Sequence, residues 1–247
     1  MLHNDNCTLN DYVGRLAMRS RLNDEECDAL RALPSAASRQ KAGCSFVACG
    51  DGIDGAYVVT AGLVSSFKSN NDGSRQIMAL HIRGDMADLP SLPFAEAVSG
   101  LQALTDVSLL LIPLSALRAI GEAYPAISRA FQRDSAVDAG IQVEWASNVG
   151  SKTARSRFAH LICEMAARYE QAGRQVGLSF ELSMTQEQLA EATAMTPVHL
   201  NRTLMALRGE GLLDMRYGVV QIFDWPALTK IACFNPRYLR FGTQRLQ

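Results

Sequence analysis

Residues 185–213 read TQEQLAEATAMTPVHLNRTLMALRGEGLL, a pattern typical of two short helices joined by a tight turn. Thr185 with Gln188 three residues later forms a capping-box pattern, which predicts the start of the first helix. Thr196 followed by Pro197 predicts the start of the second helix, because the N–H that proline lacks has no partner at the first helical position. This stretch therefore predicts a compact two-helix unit.

The second helix of this unit has an apolar side and a polar side. Leu200, Leu204 and Leu207 have the spacing of an inward face. An outward face is predicted for Val198, Asn201, Arg202, Met205 and Arg208. Arginine can donate two hydrogen bonds to guanine, and asparagine can pair with adenine, so this face suits the major groove of DNA. Capped helix pairs also occur in enzymes and bundles, where Arg202 would be a solvated surface charge.

The next residues favour DNA binding over that alternative. LLDMRYGVVQIFDW (212–225) predicts two short strands around the turn Arg216-Tyr217-Gly218. Such a wing after a helix-turn-helix would place Arg216 beside a phosphate. DWPALTKIACF (224–234) then predicts a short closing helix.

The charge distribution agrees with a polyanionic partner for this end of the chain. Residues 1–149 hold 12 Lys and Arg against 17 Asp and Glu, a net charge of −5. Residues 150–247 hold 12 against 8, a net charge of +4. We therefore expect the two parts of the chain to have different partners.

The N-terminal part has the texture of a small β-structure. Residues 11–33 predict a lead-in helix that Pro34 ends. From residue 43, short β-rich pieces are separated by glycines at fairly even intervals: Gly43, Gly50, Gly55, Gly62, Gly73 and Gly84. NNDGS (70–74) indicates a hairpin, and LQALTDVSLLLIP (101–113) predicts a final strand pair.

A long helical stretch separates the β-rich part from the two-helix unit. Its apolar positions form one stripe, which Asp134 and Asp138 interrupt: Ile127, Phe131, Ile141 and Trp145. We expect a second copy of the chain to cover this stripe in a parallel two-fold contact. The alternative is a helix packed on the β-rich part. Residues 152–172 predict an amphipathic helix after a domain boundary near 147–151.

The bulk composition excludes several classes of protein. The sequence has no apolar run long enough to span a bilayer and no secretory signal at its start, so we expect a cytoplasmic protein. None of the six cysteines forms a CxxC pair, and the four histidines lack metal-ligand spacing, so no metal site is predicted. Cys44 and Cys49 are a possible redox pair, although two buried cysteines are the more ordinary interpretation.

The order of β-roll, long helix and winged helix-turn-helix resembles the Crp/Fnr family of bacterial transcription regulators. MTQEQLAEAT, TPVHLNRTLMALRGEGLL and GVVQIFDW carry the resemblance at the C-terminal end, and AYVVTAGLV, IMALHIRGD and LTDVSLLLIP carry it in the roll. The resemblance implies an α+β fold with an antiparallel β-roll sensor domain at 1–115, a dimerisation helix at 116–150 and a winged helix-turn-helix domain at 151–247.

The resemblance also implies which residues lie closest to DNA. They are Thr185, Thr196, Val198, His199, Asn201, Arg202, Arg208 and Arg216. Val198 stands where many members have a base-reading glutamate, so the recognised half-site is expected to differ from theirs. Ala194 replaces the glycine that is usual in the turn.

The sensing residues of the family are only partly present. The candidate effector pocket comprises Gly84, Asp85, Asp88, Ala97 and Val98. Asp88 falls near the glutamate of cyclic-nucleotide-binding members, but Ala97 and Val98 stand where an arginine and its hydroxyl partner would hold the phosphate. Cyclic AMP is therefore disfavoured. An iron–sulfur cluster is also disfavoured, because Cys7 and Cys27 are isolated, and no cofactor is predicted.

The leading hypothesis is a non-enzymatic regulator that binds duplex DNA as a homodimer, with RNA polymerase as a further partner if it activates transcription. A second hypothesis is an effector-independent regulator whose roll serves only as a scaffold. A cupin-like metal enzyme is the third, and it is weak because His81 is the only histidine of the roll.

Overall fold

The computed structural model describes residues 8–87, 89, 93–173 and 178–240. The chain forms two compact units. The first contains the segment that ends at Phe67 together with Leu80–Ala136, and the second contains Lys68–Ala79 and the chain from Val137 onward. No helix of the described residues is both long and apolar enough to cross a membrane.

Two short helices, not one, precede the β-structure. Helix α1 spans Asn10–Arg19 and helix α2 spans Asp24–Arg31. Helix α1 ends at Ser20, whose backbone is extended, and Asn23 then caps the start of α2 with a complete capping box. The prediction of one continuous helix over residues 11–33 is therefore wrong, since the segment forms two helices.

The β-roll consists of two four-stranded antiparallel sheets. The first has the order β1 (Ala36–Gln40), β8 (Val107–Pro113), β3 (Gly55–Ala61) and β6 (Met86–Ala87). The second has the order β2 (Ser45–Val47), β7 (Gly100–Ala103), β4 (Val64–Ser69) and β5 (Arg75–His81). The α+β fold class predicted from the sequence is confirmed.

Alternation along the strands divides the apolar side chains between two cores. Val58 and Leu110 pack against α1 and α2, whereas Val59 and Leu109 point into the interior between the sheets. The hairpin predicted at 70–74 joins β4 to β5, with Gly73 at a φ of +82°. The two final strands predicted at 101–113 are present as β7 and β8, but they lie in different sheets and do not pair with each other.

The helical stretch after the roll is also two helices. Helix α3 spans Leu114–Ala123, and the 27-residue helix α4 begins at Pro125 and ends at Ser151. The apolar stripe predicted to face a second copy is buried by the chain itself, and this part of the prediction is wrong: Ile127, Phe131, Ile141 and Trp145 are all less than 9% exposed.

Asp134, which seemed to interrupt the stripe of α4, is fully buried and paired. Its carboxylate lies 2.9 Å from Arg15 Nη2 and 2.5 Å from Arg19 Nη1. Arg15 also pairs with Asp85, at the end of the turn before β6. These buried ion pairs join α1 to the roll and to the first half of α4.

The second unit is built around helix α5 (Ala154–Gln171). The apolar positions Phe158, Leu161, Ile162 and Met165 are buried and Tyr169 is partly buried, but burial continues around the whole helix from Phe158 to Arg168. The sequence predicts an amphipathic helix here, whereas the structure shows a helix whose middle turns are buried on every side. It also buries three polar residues, His160, Glu164 and Arg168.

The remaining elements complete the winged unit. Helices α6 (Gln186–Thr193) and α7 (Pro197–Gly209) follow strand β9 (Ser179–Glu181). Strands β10 (Leu213–Arg216) and β11 (Val219–Ile222) form a sheet of order β10–β11–β9. Helix α8 (Trp225–Ala232) and the 3-10 helix Pro236–Leu239 close the unit.

Candidate nucleic-acid interface

Side-chain caps fix the ends of α6 and α7, as the sequence predicts. Thr185 accepts a hydrogen bond from the backbone N–H of Gln188, and the Gln188 side chain accepts one from the N–H of Thr185. Thr196 caps α7 by accepting from the N–H of His199 at 3.3 Å, and Pro197 occupies the first helical position. These local contacts set where each helix begins and hence the length of the turn between them.

The turn between the helices requires a left-handed residue, and Ala194 fills it. Its φ and ψ are +50° and +52°, and its N–H bonds to the Ala190 carbonyl. This is the helix-ending conformation that glycine adopts most readily. The position where the family resemblance implies glycine is thus the position where the backbone favours it.

Helix α7 buries one face and exposes the other. Leu200, Leu204 and Leu207 are buried, as predicted. The exposed side chains form a surface that we call the reading face: Val198, His199, Asn201, Arg202 and Met205. This surface combines donors, an acceptor and apolar atoms near the N-terminal end of an exposed helix, which is the chemistry that base edges in a major groove require.

Arg208 departs from the predicted outward orientation. Its Nε lies 2.5 Å from Asp214 Oδ1, and its Nη2 donates to the Met215 carbonyl at 3.2 Å. Both partners belong to β10, so the guanidinium ties the C-terminal end of α7 to the wing. We therefore interpret Arg208 as a residue that positions the wing.

The wing is a two-residue hairpin turn. Tyr217 and Gly218 both have positive φ, +51° and +76°, as in the type I′ turn that suits twisted strands. Arg216, the last residue of β10, is exposed and pairs with Asp214 at 2.7 Å. Tyr217 is fully exposed at the tip. Tyr217 was not predicted as a site residue, although an aromatic residue is unusual in a turn position that favours asparagine or glycine.

Two family models match the chain. A model described as a cyclic nucleotide-binding domain matches residues 39–124, and one described as a Crp-like helix-turn-helix domain matches residues 156–231. They cover 86 and 76 residues, or 162 of the 247 in the chain. The chain belongs to the Crp/Fnr family.

Related proteins agree with this membership along most of the chain. The transcriptional regulatory protein btr of Bordetella pertussis is 22% identical over 219 residues, which are 89% of this chain and 90% of that protein. The fumarate and nitrate reduction regulatory protein of Vibrio cholerae is 21% identical over 231 residues, 94% of this chain and 90% of its own. The structure of FixK2 from Bradyrhizobium japonicum shares the fold with a TM-score of 0.73 at 21% identity, covering 82% of this chain and 100% of that one. The chain is thus a DNA-binding transcription regulator of Crp/Fnr type.

The described candidate effector positions of this Crp/Fnr regulator have different surroundings in the roll. Asp85 accepts a hydrogen bond from the Ile82 N–H and pairs with Arg15, and Ala97 is buried in the interior of the roll. Gly84, with a φ of +87°, forms the turn before Asp85, and the exposed Val98 accepts a weak hydrogen bond from Cys49. Asp88 lies outside the described residues.

A small cavity lies elsewhere in the roll of this Crp/Fnr chain. It has a volume of about 160 Å³, and Phe46, Tyr57 and Leu111 line its walls with Asp51 and Asp54. Its volume is below the roughly 300 Å³ at which ligand pockets begin. The two carboxylates make it unsuited to a phosphate anion.

The cysteines of the roll differ from their expected burial. Cys44 and Cys49 are both exposed. They flank the extended strand β2, which separates their Cα atoms by roughly 10 Å or more, beyond the reach of a disulfide. Cys163 of α5 is fully buried, and this burial raises the pKa of its thiol. Cys7 lies outside the described residues.

Proposed function

We propose that this chain acts as a homodimer on near-palindromic DNA sites. In this proposal the two α7 helices enter successive major grooves roughly 34 Å apart, α6 crosses the phosphate backbone, and the wing contacts a neighbouring phosphate through Arg216. Thr185 and Thr196, at the N-terminal ends of α6 and α7, provide further backbone contacts. The prediction that residues 1–115, 116–150 and 151–247 act as sensor, dimerisation and DNA-binding parts belongs to the same proposal.

The exposed reading face of α7 is the observation that carries the proposal. Asn201 and Arg202 are both exposed and adjacent in sequence, so neither side chain is taken up by packing within the unit. Arg202 is therefore available to donate two hydrogen bonds to one guanine, and Asn201 to pair with one adenine. Val198 offers only apolar contact, for example to a thymine methyl group.

The exposed side of α4 supports the dimer, on a face other than the one the sequence indicated. Five of its exposed residues, all small or apolar, follow one another in steps of three and four and form a seam: Ala136, Ala139, Val143, Ala146 and Gly150. This spacing is that of the a and d positions of a coiled coil, and small side chains allow two helices to approach closely. We propose that the seams of two copies pack together.

The remaining parts of the proposal concern the signal that the roll senses, the cellular location and further partners. The roll senses a small molecule or redox state and shifts the population of two arrangements of the DNA-binding parts. The protein works in the cytoplasm, and RNA polymerase is a further partner if transcription is activated. No catalytic role is proposed, in agreement with the regulatory relatives.

Substitution of the central arginine tests the proposed reading face. Arg202→Ala is expected to weaken binding to an operator obtained by in-vitro selection by about 1–3 kcal/mol, because one guanine loses two hydrogen bonds. Binding to unrelated DNA should change much less. Fluorescence anisotropy at fixed salt measures both affinities.

Arg129→Ala is the matched control, since this exposed arginine belongs to α4 and not to the reading face. It should leave both affinities within about twofold, a difference of less than 0.5 kcal/mol. Equal losses for Arg129→Ala and Arg202→Ala, or no loss for Arg202→Ala, would contradict the assignment of Arg202 to base recognition.

A regulator without an effector is the second candidate, and the occupied pocket positions favour it. Asp85 is engaged by Arg15, and Ala97 is packed in the roll. Under this hypothesis, protein refolded from denaturant without any small molecule binds the selected operator as tightly as freshly purified protein. A gain in affinity after addition of cell extract, or a difference between reduced and oxidised protein, would favour sensing.

A further inference from the structure

A fully buried carboxylate lies at the centre of the second unit. Glu164 of α5 is 0% exposed and receives hydrogen bonds from three side chains. Trp145 Nε1 donates to Oε2 at 3.0 Å, Tyr238 Oη donates to the same oxygen at 2.7 Å, and Arg168 Nη1 lies 3.4 Å from Oε1. We call these four residues, Trp145, Glu164, Arg168 and Tyr238, the Glu164 clasp.

The clasp joins elements that are distant in sequence. Trp145 belongs to α4, Glu164 and Arg168 to α5, and Tyr238 to the C-terminal 3-10 helix. A Cβ placed on Gly140 of α4 would lie 3.6 Å from the Tyr238 carbonyl oxygen, so the 3-10 helix also packs against α4 one turn earlier. The second half of α4 is accordingly part of the same compact unit as α5 to α8.

A chain of hydrogen bonds extends the clasp to the connection between α4 and α5. Tyr238 has one hydroxyl proton, which it gives to Glu164, so His160 Nε2–H must donate to Tyr238 Oη across 3.2 Å. His160 Nδ1 is then the acceptor for Lys152 Nζ at 3.0 Å, and Lys152 also donates to the Ala232 carbonyl. Lys152 lies in the short connection between α4 and α5, and its two hydrogen bonds fix this connection to the second unit.

The energetics distinguish this arrangement from ordinary packing. A buried carboxylate costs several kcal/mol of desolvation, which a well-packed apolar side chain of the same volume would avoid. Burial correspondingly raises the pKa of Glu164, although Arg168, Tyr238 and Trp145 all favour its charged form. The buried carboxylate instead provides directional contacts, because it accepts hydrogen bonds from three side chains and so holds Trp145 and Tyr238 in one geometry.

We propose that the Glu164 clasp is a positioning device that fixes the last turns of α4 to the DNA-binding unit and thereby sets the half-site spacing that the dimer accepts. This inference rests on the proposed homodimer. If the seam of α4 pairs the two copies, each α7 has a fixed place only when α4 cannot pivot against α5. Trp145 and Tyr238 are thus positioning residues, and neither needs to touch DNA.

Spacing preference tests the clasp separately from core stability. Trp145→Phe in the full chain removes the N–H donor and keeps an aromatic ring, and Tyr238→Phe removes only the hydroxyl. Affinity is measured for a duplex with one half-site, for the selected full site, and for full sites with spacers one base pair longer or shorter. We expect half-site binding within about twofold of the parent protein, and a preference for the selected spacing reduced by about threefold to tenfold, the scale of one buried hydrogen bond.

Trp225→Phe is the matched control, because Trp225 lies in α8 of the same unit and is partly exposed. It should keep the spacing preference. An unchanged preference in Tyr238→Phe, or equal losses on half-sites and on all full sites, would show that the clasp only stabilises the fold and would overturn the inference. Failure of the parent protein to bind any selected site would instead refute the proposed function on which the inference rests.

Discussion

Ala194 shows how a single residue can carry strain at the site. A left-handed conformation costs an L-residue other than glycine, asparagine or aspartate about 1 kcal/mol or more. Ala194 adopts it because the chain must reverse within three residues between the end of α6 and the Thr196 cap of α7. The fold therefore tolerates a local cost in order to keep the two helices close.

Relief of this strain should stabilise the protein. Ala194→Gly is expected to raise the free energy of unfolding by roughly 0.5–1 kcal/mol, because glycine adopts positive φ without steric cost. Urea unfolding followed by circular dichroism measures the change. Ala206→Gly, at an exposed position inside α7, is the control and should destabilise by about the same amount. Destabilisation by Ala194→Gly would show that the turn is not strained.

Single residues differ in how far the sequence could predict them. The caps at Thr185 and Thr196 were predictable, because each depends on contacts within three residues. The role of Arg208 was not, because helical spacing gives its direction but not the presence of Asp214 on the following strand. In the sequence, an arginine that pairs with a neighbouring strand cannot be told apart from an arginine that is free to contact DNA.

At the scale of elements, α4 has one face that the chain buries and one that is exposed. The face with Ile127 and Phe131 packs against the roll and the N-terminal helices, and the seam around Val143 is exposed. The sequence could predict a long helix with an apolar stripe. It could not show whether the chain itself or a second copy covers that stripe. The residues that meet this side of α4 are distant in sequence: Arg15 and Arg19, which pair with Asp134, lie more than 100 residues away.

The exposed seam makes a prediction about the dimer. Val143→Glu is expected to convert the protein to a monomer at micromolar concentration, because two carboxylates would face each other across a close helix pair. Affinity for the full operator should fall by about tenfold or more, the equivalent of 1.4 kcal/mol. Analytical ultracentrifugation gives the oligomeric state, and anisotropy gives the affinity.

Gln142→Glu introduces the same charge at an exposed position beside the seam and serves as its control. It should leave the dimer intact. A Val143→Glu protein that remains dimeric with full affinity would show that α4 does not pair through this face.

At the scale of the whole molecule, the buried polar groups of the second unit link stability to pH. Burial and the neighbouring Lys152 ammonium lower the pKa of His160 to about 4, from an ordinary value of 6.5. The unfolded chain therefore binds more protons than the folded chain between these two values, and acidification through this range favours unfolding. Glu164 has a raised pKa, so its contribution has the opposite sign.

Removal of His160 should consequently reduce the acid sensitivity of the protein. Between pH 6.5 and 4, the free energy of unfolding of the parent protein should fall with a contribution of roughly 1 kcal/mol per pH unit from His160, and His160→Gln should lack that contribution. Urea midpoints at several pH values, followed by tryptophan fluorescence, measure both slopes. His199→Gln, at an exposed histidine of α7, should retain the parent slope. Because the comparison is between variants, the opposite contribution of Glu164 is present in each protein and cancels. Equal slopes for the parent and His160→Gln would mean that His160 is protonated in the fold. Nδ1 could then no longer accept a hydrogen bond from Lys152, whereas Nε2–H would still donate to Tyr238.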